Sequence, residues 1–203
     1  MKNKALKIGI TGGIGSGKTT VCHIFETLGI PIYYADDRAK TLMIEDDNLI
    51  KGIKNLFGNA AYFEDGSLNR KYISGIAFSN PLILNELNAL VHPAVHADGE
   101  RWHDAQTYAP YTLKEAALHF ESGGFRFMDK MICVVAPKEV RIERVLLRGG
   151  LNRSEIEARM SKQLSDEEKI KQSDFVVHND TQTGLIQQVL AIHKNLLKIH
   201  ETA

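Results

Sequence analysis

The sequence predicts an α/β fold: three layers, with a parallel sheet of about five strands between helices, and three observations carry the prediction. Short apolar or β-branched runs recur at residues 6–11, 30–36, 111–120, 131–136 and 174–178, each followed by a helical pattern or by Pro137. Strands that alternate with helices pair in parallel and bury both faces of the sheet. Between the first run and the first helical pattern stands a glycine-rich stretch, GGIGSGKTT, so glycines join a strand to a helix. The second run, IPIYYAD, closes on Asp36 and Asp37 before another helical stretch, completing a β-loop-α-β unit.

Taken in order, LKIGIT (6–11) is the first strand. From Thr19 onward Val21, Ile24, Phe25 and Leu28 form an i, i+3, i+4, i+7 stripe that stops at Gly29. After the second run, Ala39, Leu42 and Met43 keep helical spacing. Residues 45–109 hold no convincing strand; they read as a helical insertion broken at Gly58, Gly66, Pro81 and Pro93. Residues 138–172 read as a charged helical pair. Gly149 and Gly150 stop its first helix, and Ser154 with Glu157 suggests a capping-box start for the second. A charged hairpin hinged on two glycines is a candidate lid. The expected organisation is a core of residues 1–44, 110–137 and 173–203, an insertion of 45–109 and a lid of 138–172.

Composition narrows the function classes. A chain of 203 residues can bury a full core. No apolar run is long enough to cross a bilayer, and the apolar part of MKNKALKIGITGG is too short for a signal-peptide core, so a soluble cytoplasmic protein is expected. Cys22 and Cys133 fit neither a zinc spacing nor a redox pair and read as small core residues of a reduced protein. With 25 basic and 25 acidic side chains there is no global field for nucleic acid, and any anion must be held by a local cluster.

Gly12, Gly17, Lys18 and Thr19 satisfy G-x-x-x-x-G-K-[ST] in the required strand-to-helix setting, which makes the stretch a P-loop. Glycines let successive backbone N–H groups turn inward at the positive end of a helix, and Lys18 adds a mobile cation for the β/γ-phosphates. The expected nucleotide contacts are Gly13, Ile14, Gly15, Ser16, Gly17, Lys18, Thr19 and Thr20, with the Thr19 hydroxyl a ligand for Mg²⁺. Asp36 emerges at the carboxyl edge of a parallel sheet, where a carboxylate can orient Mg²⁺ through water or take the proton of an acceptor hydroxyl. The plainer alternative makes Asp36 or Asp37 an N-cap for residues 38–43. Glu121 is read as ending the third strand at the same edge, with a structural role as its alternative. Of the hairpin arginines Arg141, Arg144, Arg148, Arg153 and Arg159, Arg148 is favoured for a closing phosphate contact because it sits beside Gly149. His92, His96, His103 and Glu100 mimic a metal cluster, but Gly99 weakens that helix. LVHPAV reads instead as a rigid corner that aims His92.

Together these pieces resemble the dephospho-coenzyme A kinase family, of nucleotide-monophosphate-kinase type, over nearly the whole chain. The resemblance rests on TGGIGSGKTT (11–20), LGIPIYYADDRAK (28–40), LNRKYISGIAFSNP (68–81), LNALVHPAV (87–95), EAALHFESG (115–123), the hairpin segment 134–163 and SDFVVHND (173–180). It implies transfer of the γ-phosphoryl of ATP, with Mg²⁺, to the ribose 3′-hydroxyl of dephospho-CoA, the last step of coenzyme A synthesis. The small-molecule acceptor would lie on the helical insertion and the lid over ATP. By position, Gly15 to Thr20 would hold the phosphates and His92 and Glu121 would lie towards the acceptor. Arg148 would serve the lid and Asn179 would border the adenine. The expected catalytic set is Lys18, Asp36 and Arg148, with Asp36 also touching the acceptor. Two departures stand out. Tyr34 occupies a place where the family commonly has Asp, which concentrates the base role on Asp36, with Asp37 as the weaker candidate. Ala117-Leu118-His119 replaces a common Pro-Leu-Leu.

Two other functions compete. A kinase of the same architecture could act on a nucleoside or nucleotide. A nucleotide-dependent switch could signal by lid movement, although the chain lacks an Asn-Lys-x-Asp guanine-reading segment.

Overall fold

A computed structural model describes residues 4–77, 79–180 and 182–202. Five strands, β1 (Leu6–Thr11), β2 (Ile32–Tyr34), β3 (Tyr111–Glu115), β4 (Lys130–Val135) and β5 (Phe175–His178), form one sheet in the order β2-β3-β1-β4-β5, every pairing parallel. Both faces of the central strands are buried, as expected for a sheet covered by helices. One face carries α1 (Lys18–Thr27), which buries Val21, Cys22 and Phe25, and α9 (Leu185–Thr202), which buries Val189, Ile192 and Leu196. These pack with Ile8, Ile10, Leu113, Ile132 and Val177 in a single cluster.

Register decides which side chains reach the carboxyl edge. Ile10 of β1 lies opposite Glu115 of β3, and Glu115 lies opposite Tyr34 of β2. The third strand therefore ends at Glu115 rather than running to 120. The Ala116 N–H still donates to the Ile10 carbonyl, after which residues 117–123 turn away. The second strand is likewise shorter than 30–36, because proline at 31 has no N–H for the ladder; only its carbonyl takes part, accepting from Leu113 N–H.

By contacts the chain divides into two compact units, Met1–Tyr34 with Ala105–Ala203, and Ala35–Asp104. Among the described residues the second has helices and a single bridge, between Tyr62 and Leu68, and it begins with α2 (Ala35–Glu45) rather than at residue 45. Then come α3 (Asp47–Phe57), α4 (Arg70–Ala77) and α5 (Pro81–Asp104). Asp46 caps α3 by accepting from Asn48 and Leu49 N–H, and Leu49, Ile53 and Phe57 bury one stripe. Arg38 of α2 holds Asp98 of α5 through two hydrogen bonds of 3.0 and 3.1 Å. Pro93 makes no corner: α5 passes through it unbroken. Val91, Val95, Gly99 and His103 are buried at four-residue spacing on both sides of it, so packing of that stripe outweighs the roughly 3 kcal/mol that an interior proline costs.

The charged hairpin is three helices, not two: α6 (Lys138–Arg148), α7 (Arg153–Met160) and α8 (Asp166–Lys171). Gly149 ends α6 as expected, but the cap of α7 is Asn152 with Glu155, not Ser154 with Glu157. Asn caps as well as Ser does, and the Glu155 carboxylate returns to the Asn152 N–H at 2.8 Å, which leaves Ser154 inside the helix. Ile142, Val145 and Ile156 form a small core of their own, against which Ile14 packs.

Candidate active site

The loop between β1 and α1 is shaped by what stands behind it. Gly17 adopts φ 92°, ψ 28°, a left-handed conformation, and a Cβ there would strike the Asn179 side-chain amide. At Gly15, also at positive φ, a Cβ would meet the backbone carbonyl of Arg141. The cradle thus has room for backbone alone. Lys18, the first residue of α1, folds back so that its ammonium donates to the Gly12 carbonyl at 3.0 Å and lies 3.8 Å from Glu115. Glu115 is the carboxylate that ends the third strand. Sequence reading missed it by carrying that strand too far.

Glu121, expected at the strand end, instead lies in the turn beyond it. Its Oε1 accepts from Leu164 N–H at 2.9 Å and stands 3.2 Å from the ammonium of Lys169, which is completely buried. A buried ammonium must be paired, so the carboxylate is committed to fixing residues 117–123 against α8. His119 in the same turn is buried, with Nε2 bonded to the Lys114 carbonyl, and burial pushes its imidazole down to about 4.

Ile14, at the tip of the loop, is held from three sides. Its N–H donates to Gln163 at 2.9 Å, its carbonyl accepts from Arg141 Nε at 2.9 Å, and its side chain packs on the small core of the hairpin. Arg141 is itself anchored by Asp166 at 2.9 and 3.1 Å. A second brace runs through Asn179, whose Nδ2 donates to the Ser16 carbonyl at 2.8 Å. Arg144 donates to both the side-chain and backbone oxygens of Asn179. Hence Asn179 spends its side chain on the loop. Arg148 and Arg159 are exposed and hold no carboxylate among the described residues, unlike Arg141 with Asp166 and Arg153 with Glu139. Gln163 carried no motif signal and Arg141 stood out only as one of five hairpin arginines, since what each holds on the loop is a backbone group of Ile14, far away in sequence.

Two buried polar atoms here have no hydrogen-bond partner among the described residues: Ser16 Oγ and Arg144 Nη1. Orphaned donors beside a cradle that excludes Cβ atoms, at a helix N-terminus and next to a lysine, are what a polyphosphate would satisfy. Thr19 and Thr20 stand exposed in the first turn of α1, so the Thr19 hydroxyl is accessible to a hard cation.

In the helical unit, Asp36 and Asp37 lie in the first turn of α2, which begins at Ala35; neither is its N-cap. Asp37 pairs with Lys40 at 2.6 Å, whereas Asp36 is exposed, with neither hydrogen bond nor ion pair among the described residues. Tyr34 does not replace the missing carboxylate. Its hydroxyl donates to Glu26 at 3.0 Å, and burial together with that carboxylate raises its pKa, keeping the phenol protonated. His92 is exposed on α5. Among the described residues no group of three His, Cys, Asp or Glu gathers to hold a metal, and no helix is long and apolar enough to cross a membrane.

A family model described as dephospho-CoA kinase (CoaE) matches residues 6–184. The chain is 42% identical over 177 residues to a dephospho-CoA kinase of Salinibacter ruber, covering 85% of this chain and 88% of that one. It is 38% identical over 203 residues to one of Chlorobaculum tepidum, covering 97% of each. A crystal structure from Thermus thermophilus is similar at TM-score 0.83 and 34% identity, over 95% of this chain and 98% of that one. The dephospho-CoA kinase from Campylobacter jejuni is similar at TM-score 0.68 and 26% identity, over 95% and 97%. The chain belongs to the dephospho-CoA kinase family.

Proposed function

We propose that this protein transfers the γ-phosphoryl group of ATP to the ribose 3′-hydroxyl of dephospho-CoA, giving coenzyme A and ADP. The observation that carries the reading is a phosphate loop with orphaned donors at Ser16 Oγ and Arg144 Nη1, in a chain whose family match spans residues 6–184. Phosphoryl transfer asks a protein for positioning and charge rather than covalent chemistry. Loop N–H groups from Gly13 to Thr20 and the Lys18 ammonium hold the β- and γ-phosphates; Lys18 exchanges the Gly12 carbonyl and Glu115 for phosphate oxygens. Asp36, whose carboxylate has no partner among the described residues, accepts the proton of the 3′-hydroxyl. Arg148, exposed at the end of α6, supplies a cation to the transferring group when the hairpin closes. His92 meets the acceptor, and Asn179 serves the nucleotide by bracing the loop. Thr19 is the hydroxyl that would hold Mg²⁺, which when bound supplies charge neutralisation between the phosphates. Free, buried Cys22 and Cys133 suit a reducing cytoplasm.

The test is turnover of ATP and dephospho-CoA with Mg²⁺, with the product analysed by mass and by phosphate position. Formation of coenzyme A is expected, and Asp36→Asn should lower kcat about 100-fold with KM for ATP unchanged. ATP hydrolysis without 3′-phosphorylation, or equal turnover of simple nucleosides, would overturn the assignment.

A further inference from the structure

Glu121 holds two partners that belong to one short stretch of chain. Its Oε1 accepts from Leu164 N–H at 2.9 Å and stands 3.2 Å from the Lys169 ammonium, and its side chain is only 18% exposed. Lys169 on α8 is completely buried, and its ammonium has no hydrogen-bond partner among the described residues. Glu121 is therefore the carboxylate that makes a buried charge tolerable, and the pair anchors α8 to the turn at 117–123.

Whatever fixes that stretch also fixes Ile14. One line runs along the chain, because Leu164 follows Gln163, whose side-chain oxygen accepts from Ile14 N–H at 2.9 Å. A second runs through Asp166, the first residue of α8, which holds Arg141 while Arg141 Nε donates to the Ile14 carbonyl. Both polar backbone groups at the loop tip thus lead back to residues 163–169. A loop oriented before its ligand arrives binds more tightly, since less ordering remains to be done.

Resting on the proposed function, we infer that Glu121 is a positioning residue for the phosphate loop, acting through Leu164, Gln163 and Lys169, and not a contact to the acceptor. The reaction then depends on Glu121 through ATP rather than through dephospho-CoA.

The experiment removes the buried charge first, so that its desolvation does not mask the effect. Lys169→Met with Glu121→Gln keeps an oxygen for Leu164 N–H; Lys169→Met with Glu121→Leu keeps none. Titrated with ATP in the absence of acceptor, the first double variant should bind within about threefold of the unaltered protein and the second about tenfold more weakly, the effect of one lost hydrogen bond. KM for dephospho-CoA at saturating ATP should stay within about twofold in both. Gln163→Leu cuts the same line without touching the pair and should also weaken ATP about tenfold; added to the second double variant it should weaken ATP little further. If that double variant does not fold, Gln163→Leu and the first double variant carry the test. Equal ATP affinity in the two double variants, unchanged affinity in Gln163→Leu, or a rise in KM for dephospho-CoA in place of the loss of ATP affinity would overturn the role of Glu121. Absence of dephospho-CoA turnover by the unaltered protein would overturn the kinase assignment instead, and the ATP titrations would still decide what Glu121 does.

Discussion

Replacing Arg141 with methionine separates what anchors the phosphate loop from what binds phosphate. The Arg141 side chain is only 10% exposed; Nη1 lies 2.9 and 3.1 Å from the Asp166 oxygens and Nε donates to the Ile14 carbonyl. Methionine keeps most of the apolar stem, so the loss falls on polar contacts. Breaking a fully buried ion pair costs about 3–5 kcal/mol, but Asp166 is 23% exposed and regains part of its hydration. A hydrogen bond to a charged group contributes about 1.5–3 kcal/mol, so the net expectation for Arg141→Met is about 2–3 kcal/mol. Asp166→Asn still offers an oxygen and should cost about 1 kcal/mol. Combined with Arg141→Met it should add almost nothing, a coupling of about 1 kcal/mol in urea unfolding of the four proteins. ATP affinity should fall in Arg141→Met, which frees the Ile14 carbonyl, and hold in Asp166→Asn, which does not. Additive single costs, or equal losses of ATP affinity in the two variants, would refute this account of the anchor.

Gly17→Ala should destabilise the protein by about 2–3 kcal/mol, from left-handed backbone strain plus displacement of the Asn179 bond to Ser16. Adding Asn179→Ser, which makes room, should return part of that loss in thermal melts; no recovery would mean that the clash is not its source. For His119 the folded pKa of about 4 lies below the ordinary 6.5, so between those values the unfolded chain takes up a proton that the folded chain refuses. Stability is therefore full above pH 6.5 and falls as pH drops towards 4. The loss should be about 2 kcal/mol at pH 5 in urea unfolding, and His119→Gln should remove that part of the slope.

What could be read from the sequence was whatever depends on neighbouring residues. The five strands, the glycine cradle and Lys18 are written in short runs, and the structure carries all of them. Glu115 and Glu121 illustrate the limit. Both follow a plausible strand, and only pairing with Ile10 and Tyr34 decides where the ladder stops and which carboxylate stands by Lys18. Pro93 misled for a related reason, since local chemistry says break while the stripe from Val91 to His103 says continue. The grip of Gln163 and Arg141 on Ile14 was invisible because backbone partners leave no residue signature.

The hold on Ile14 couples two events that a nucleotide-binding protein could have kept separate. A residue whose N–H, carbonyl and side chain all belong to the hairpin cannot keep its place when the hairpin melts locally, so the free energy of hairpin opening enters the free energy of ATP binding. Reciprocally, ATP that needs an ordered loop must protect amides of α6 and α7 that it never touches. Warming that frays the hairpin would then weaken nucleotide affinity well below the temperature at which the sheet unfolds, giving the enzyme a thermal limit set by its hairpin rather than by its core.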